Sequence, residues 1–241
     1  MSEFNRNNID HYLYEIAKEY KKRNKIYNEA EITLIGGASM LINYNFRDMT
    51  TDIDALIKAS STMKEIINKI GDENNLPNGW LNDDFKNTKS YTSKIFQYSK
   101  FYKKFCNCLS VRTIKDEYLI AMKLCSGRIY KKDLSDIIGI LKEHQEQENP
   151  INYNDIDKAM QNLYNGWGNV SQDSIDFLNK VFQCDDLESL YYETLSKEKT
   201  NKKALLLAEK DYKNEINDNN LNSFLTHFIP QVTENDEIDL D

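Results

Sequence analysis

Two aspartates two residues apart, Asp52 and Asp54, are the side chains of this 241-residue chain best suited to chemistry. Alternate residues of a β-strand leave the same face of a sheet, so on a strand both carboxylates converge on one point while Ile53 turns into the core. Paired hard oxygens of this kind suit Mg²⁺, which takes one or two carboxylates together with substrate phosphates. An isolated pair can also be an ordinary solvated strand end; what favours a cation is that two like charges on one face repel without one. Upstream stands Gly36-Gly37. Glycines permit a tight turn and a close approach of backbone amides to a ligand. A helix opening directly after them aims its amides and positive dipole end at an anion, and Ser39 adds a hydroxyl in the first turn. A strand-to-helix turn can need glycine for geometry alone. The motif is neither a GxxxxGK[ST] phosphate loop nor a GxGxxG dinucleotide turn.

The elements that must position these residues follow from apolar periodicity. A strand is predicted over 31–35, a helix over 38–44, and a strand over 50–57 that carries both aspartates. An amphipathic helix over 9–24, with Asn8 as its N-cap, precedes them, and a helix over 63–70 follows. Residues 71–84 read as a polar loop, 108–114 as a strand, and 116–126 and 132–143 as helices, the first closed by Gly127. Beyond the charged stretch ending at Pro150, helices are expected over 154–164, 171–182, 186–196, 202–216 and 221–228, with no strand alternation. The basic run 197–203 reads as a solvated turn between two of them.

The GG turn, a helix of about two turns and R-x-x-T-T-D-I-D (Arg47 to Asp54) together resemble the nucleotidyltransferase superfamily with a polymerase-β-like core. The closer resemblance is to the bacterial group of uncharacterised nucleotidyltransferases related to the AbiEii and MenT toxins. A later stretch, YLIAMKLCSGRIYKKDLSD (Tyr118 to Asp136), looks like that group's second signature, K-L-x-x-x-R followed by K/R-D-x-x-D. The resemblance implies an α/β (α+β) fold: a small mixed-sheet core flanked by helices, followed by an all-helical C-terminal region. The corresponding domains are an N-terminal packing helix over 1–28, the core over 29–147, a helical domain over 148–230 and an acidic disordered tail over 231–241.

Carried over by position, the resemblance implies that Gly36 and Gly37 hold a triphosphate, Asp52 and Asp54 bind Mg²⁺ (or Mn²⁺), Lys123 contacts nucleotide phosphate, and Asp133 or Asp136 completes the site. The residues themselves allow more than one reading. Lys123 lies in an apolar run where its ammonium could snorkel to the surface. Asp133 and Asp136 could serve a helix N-terminus, and Arg128 could pair with either or with phosphate. The implied partners are a nucleoside triphosphate, an RNA, tRNA or protein hydroxyl as acceptor, and a cognate antitoxin-like protein; a small-molecule acceptor, as in antibiotic adenylylation, is also open. Two departures favour a nucleotide-binding protein with weak or no turnover: Ala38 follows Gly37 where Gly-Ser is common, and no third carboxylate occurs between Lys94 and Thr113. Glu117, just beyond that strand, is a poor substitute.

Composition narrows the field. A net charge of −8 disfavours a protein that coats nucleic acid non-specifically. The aromatic and basic stretch 94–105 could stack single-stranded nucleic acid, but the balance falls to an edge strand whose lysines block aggregation. Cys106, Cys108, Cys125 and Cys184 lack zinc spacing and are expected as reduced thiols in a cytoplasmic protein. His11, His144 and His227 are dispersed, and neither a signal peptide nor a membrane span is read.

Overall fold

The computed structural model describes residues 3–24, 29–213, 215–217 and 220–232. The elements run α1 (Arg6–Arg23), β1 (Ala30–Leu34), α2 (Gly36–Asn43), β2 (Ile53–Lys58), α3 (Thr62–Glu73), β3 (Leu81–Asn82), β4 (Ser99–Phe105), β5 (Leu109–Ile114), α4 (Asp116–Ser126), α5 (Asp133–Glu146), α6 (Tyr153–Tyr164), α7 (Gln172–Phe182), α8 (Leu187–Asp211) and α9 (Leu221–Phe228). This is the expected α/β class with a helical C-terminal region. The chain forms two compact units, one from Met1–Met122 with Asn154–Gly168, the other from Lys123–Tyr153 with Asn169–Asp241. Most of the tail expected over 231–241 lies outside the described residues.

The first unit holds a five-stranded mixed sheet of order β3-β2-β1-β5-β4. β1 runs antiparallel to β2 and parallel to β5. Ile32, Leu34, Ile53, Ala55, Leu109 and Val111 form one apolar face, packed with Ile9, Leu13, Ile16 and Ala17 of α1 and Ile66 and Ile70 of α3. The apolar spacing of α1 is as read, but its N-cap is Asn5; Asn8 is the third helical residue and returns a hydrogen bond to the Asn5 N–H, a reciprocal capping pair.

Two expectations in this unit are corrected. The strand carrying the aspartates begins at Ile53, with Thr50 instead paired across an isolated bridge to Phe4. The loop read over 71–84 contains β3, whose two residues are too few to show alternation. β3 is held because Trp80, buried against Phe4 and Tyr12, presents its carbonyl to the Ile53 N–H at 2.9 Å. The aromatic and basic stretch does supply an edge strand, β4. Its Lys100, Lys103 and Lys104 lie 2.7–2.8 Å from Asp116, Asp10 and Glu29, so each charge has a carboxylate partner within the protein.

In the second unit, among the described residues, every regular element is helical. α8 is one helix of 25 residues where two separated by a turn were expected. The run 197–203 has neither glycine nor proline to stop a helix. Glu198 within it is buried, and the Asn201 side chain donates to the Ile129 carbonyl at 2.8 Å, so this stretch is packed rather than solvated. Ala204 and Ala208 of α8 pack with Leu225 and Phe228 of α9.

Candidate functional site

β1 ends at Leu34, and Ile35 hands its N–H to the Asp54 carbonyl at 2.8 Å. The chain then turns into α2 through Gly36, which has φ +51°, in the left-handed region that favours glycine. No side chain caps the start of α2, so its first amides and positive dipole end are presented at the turn. The two glycines lie against different partners. A β-carbon on Gly36 would stand 3.6 Å from Asp54 Oδ2; on Gly37 it would stand 2.5 Å from Thr50 Oγ1 and 3.3 Å from Arg47 Nη2. The Thr50 hydroxyl in turn donates to the Asp52 carbonyl at 3.2 Å, within the loop before β2. Ile53 is fully buried, Asp54 is half-buried and Asp52 is exposed, which is the alternation expected of a strand edge emerging from the core.

The strand beside β2 matters for a metal. β3 pairs parallel with β2 and places Asn82 in register with Asp54. Laterally paired residues leave the same face of a sheet on strands about 4.8 Å apart, so Asn82 neighbours Asp54, with its amide oxygen accepting the Asp84 N–H at 2.9 Å and its amide nitrogen donating to the Gly79 carbonyl at 3.0 Å. Asp83 and Asp84 follow, both exposed. Residues 94–113, which carry no carboxylate, run through a 3-10 turn into β4 and β5, which lie beyond β1 from β2. The position next to Asp54 is therefore polar but uncharged. Its sequence signal was only a polar residue after Trp80-Leu81. Among the described residues, no three His, Cys, Asp or Glu side chains gather as a ligand set. The two carboxylates, both hard-oxygen donors, fit a divalent ion that keeps several waters.

Ser39 departs from its expected role. Its side chain is fully buried and its hydroxyl accepts the Ile114 N–H at 3.1 Å, bracing α2 against β5 rather than facing the turn.

The remaining expected residues come together in the second unit. Lys123 Nζ lies 2.8 Å from Asp133 Oδ1 and 2.7 Å from Asp136 Oδ2, with the lysine side chain only 11% exposed. This is a buried ion pair rather than a snorkelling lysine. Arg128 Nε donates to Asp133 Oδ2 at 2.8 Å. Burial alone would raise the Asp133 carboxyl, but the Lys123 and Arg128 charges outweigh it and hold the group well below the usual carboxylate range. Glu198, which the sequence did not single out, reaches from α8 to the start of α5 and accepts the Leu134 N–H at 2.8 Å. Burial pushes its carboxyl up to about 7, with Asp136 adding to the rise against the hydrogen bonds from Ser135 and Leu134. The first turn of α5 thus carries two buried aspartates and receives a third carboxylate from another helix.

A mixed sheet that turns through paired glycines into a helix and returns with an aspartate pair at the start of its next strand is the plan of a nucleotidyltransferase. The chain belongs to the family of nucleotidyltransferases of unknown function DUF6036, which it matches over residues 10–162. No similar chain was found among curated proteins or among solved structures. Among the described residues no helix is long and apolar enough to cross a membrane, and all four cysteines are free thiols.

Proposed function

We propose that the first unit binds a nucleoside triphosphate and a divalent cation and transfers the nucleoside monophosphate to a hydroxyl acceptor. The observation that carries this reading is the seating of Gly36 against Asp54: the turn suited to phosphate and the carboxylate suited to a cation occupy one place. The first amides of α2 would receive the phosphates. Asp52 and Asp54 would hold Mg²⁺ or Mn²⁺. When bound, the cation neutralises phosphate charge and lowers the pKa of a coordinated hydroxyl. The acceptor oxygen forms a bond to the α-phosphorus as the bond to pyrophosphate breaks, and the hydroxyl proton is lost to solvent or a neighbouring base. Positioning in line is the protein's main contribution to such a transfer.

The likeness to the AbiEii and MenT group points to an RNA end, such as that of a tRNA, or a protein hydroxyl as acceptor, in a toxin–antitoxin setting. A second reading, nucleotide binding with little turnover, is favoured by the amide at Asn82 where a carboxylate would add charge to the metal site. One experiment separates them. The protein is incubated with each nucleoside triphosphate labelled at the α-phosphate, Mg²⁺ and total RNA, beside the Asp52→Asn/Asp54→Asn variant. Label on RNA in the parent only is the expected result. Transfer that survives both substitutions removes the assignment of the aspartates. Tight nucleotide binding without transfer to RNA, protein or an aminoglycoside establishes the second reading.

A further inference from the structure

We infer that Arg47 holds the terminal phosphates of the nucleotide and the pyrophosphate as it departs; this rests on the reading of the glycine turn as the triphosphate site.

Arg47 lies in the loop between α2 and β2. Its Nε donates to the Met49 carbonyl at 3.1 Å, which fixes the plane of the guanidinium. Its Nη2 then lies 3.3 Å from the place a β-carbon would take on Gly37, while Asp54 Oδ2 lies 3.6 Å from the corresponding place on Gly36. A carboxylate thus flanks the first glycine, and the Thr50 side chain with the Arg47 guanidinium flanks the second. A polyphosphate laid along the turn would meet cation-binding oxygens at one end and a fixed cation at the other. The cation end suits the phosphates that leave, because their charge grows as the bond to the α-phosphorus breaks.

A second arginine makes the choice specific. Arg6 and Arg47 both line an open cavity of about 220 Å³ with Tyr44, Asn45 and Asp48. Arg6 donates to the Leu41 and Ile42 carbonyls, at 3.2 Å and 2.9 Å, so its charge serves the C-terminal end of α2. Arg47 reaches the opposite end, where the helix dipole already favours an anion. A guanidinium presents a planar fork that binds phosphate through two parallel hydrogen bonds, which a lysine cannot reproduce.

The test uses the full-length protein and two probes, inorganic tripolyphosphate with Mg²⁺ by titration calorimetry, and Mn²⁺ by paramagnetic resonance. The variants are Arg47→Ala, Arg47→Gln, Arg47→Lys and Asp52→Asn/Asp54→Asn. Glutamine keeps an amide donor for the Met49 carbonyl, so a loss in Arg47→Gln with an unchanged melting temperature cannot be attributed to loop collapse. Expected are a loss of tripolyphosphate affinity of about tenfold or more in Arg47→Ala and Arg47→Gln, partial retention in Arg47→Lys, and unchanged Mn²⁺ binding in all three. The aspartate variant loses Mn²⁺. Tripolyphosphate bound equally well by the parent and by Arg47→Gln overturns the assignment of Arg47 and leaves the site standing. A parent protein that binds neither probe overturns the site and the inference together.

Discussion

A β-carbon at Gly37 meets a neighbour with little room to retreat. Thr50 Oγ1 stands 2.5 Å and Thr50 Cβ 3.2 Å from it, and Thr50 is held by two backbone hydrogen bonds to Phe4, at 2.8 and 2.9 Å. Gly37→Ala should therefore cost about 1–3 kcal/mol, the usual range for overpacking. Gly36→Ala meets nothing closer than 3.6 Å, but its φ of +51° costs a non-glycine residue about 1 kcal/mol. Urea unfolding of the two variants checks the order, with Gly37→Ala having the lower midpoint; the reverse order would mean that the loop before β2 yields freely. At this scale the turn at Gly36 and the burial of Ile53 beside Asp54 were legible because turn geometry and strand alternation act over a few residues. Ser39 was not, because only the approach of β5, seventy-five residues away, decides that its hydroxyl serves the Ile114 N–H. Lys123 was half legible: a lysine in an apolar run signals a partner, and two carboxylates answer it. Lys123→Met should leave Asp133 and Asp136 buried with less compensation and destabilise the second unit by about 3–5 kcal/mol. Chemical denaturation followed by circular dichroism measures this, and a loss under about 1 kcal/mol would show that Arg128 suffices as counter-ion.

Elements read correctly where their own residues specify them and incorrectly where a partner does. β3 is two residues made a strand by β2, and α8 runs through its basic stretch because Glu198 and Asn201 bind elsewhere in the second unit. The tie from Glu198 to α5 has a pH signature. The Glu198 carboxyl is raised to about 7 from its ordinary value of 4.5, so between these values the folded state holds a proton that the unfolded chain has released. Its contribution is complete below about pH 4.5 and is lost as pH rises to about 7. Asp133 acts in the opposite sense: its lowered value gives stability above about pH 3.8 that is lost under more acid conditions, so the two windows do not overlap. Glu198→Gln keeps an acceptor for the Leu134 N–H without the titration. Its stability relative to the parent should rise by on the order of 1–3 kcal/mol between pH 5 and pH 7.5. Urea midpoints of the two proteins across that range test this; parallel curves would show that Glu198 is ionised throughout.

The sequence marks a boundary near Pro150, yet each compact unit draws on both sides of it. The first takes Asn154–Gly168, and the second takes Lys123–Tyr153. Composition exposes a charged, proline-ended stretch but not which core a following helix joins, and α6 has no local feature that assigns it. The family match ends at residue 162, inside α6, and takes in residues of both units. α6 buries Ile156, Met160 and Leu163 almost completely, while Asn162 donates to the Tyr118 hydroxyl at 2.8 Å and the Tyr164 hydroxyl donates to the Ser90 carbonyl at 2.7 Å. Three buried side chains of that size contribute about 5–9 kcal/mol, as much as the whole net stability of a typical domain. A chain cut after residue 150 should therefore fail to fold cooperatively, while one cut after residue 168 regains a first unit with a sharp transition. The shorter fragment has Trp80 as its sole tryptophan, 3% exposed in the intact protein against Phe4 and Tyr12, so its emission reports the core directly. Red-shifted emission without a thermal transition is expected from the 1–150 fragment, and blue-shifted emission with one from 1–168. If the shorter fragment melts cooperatively, α6 is dispensable and the first unit is complete before Pro150.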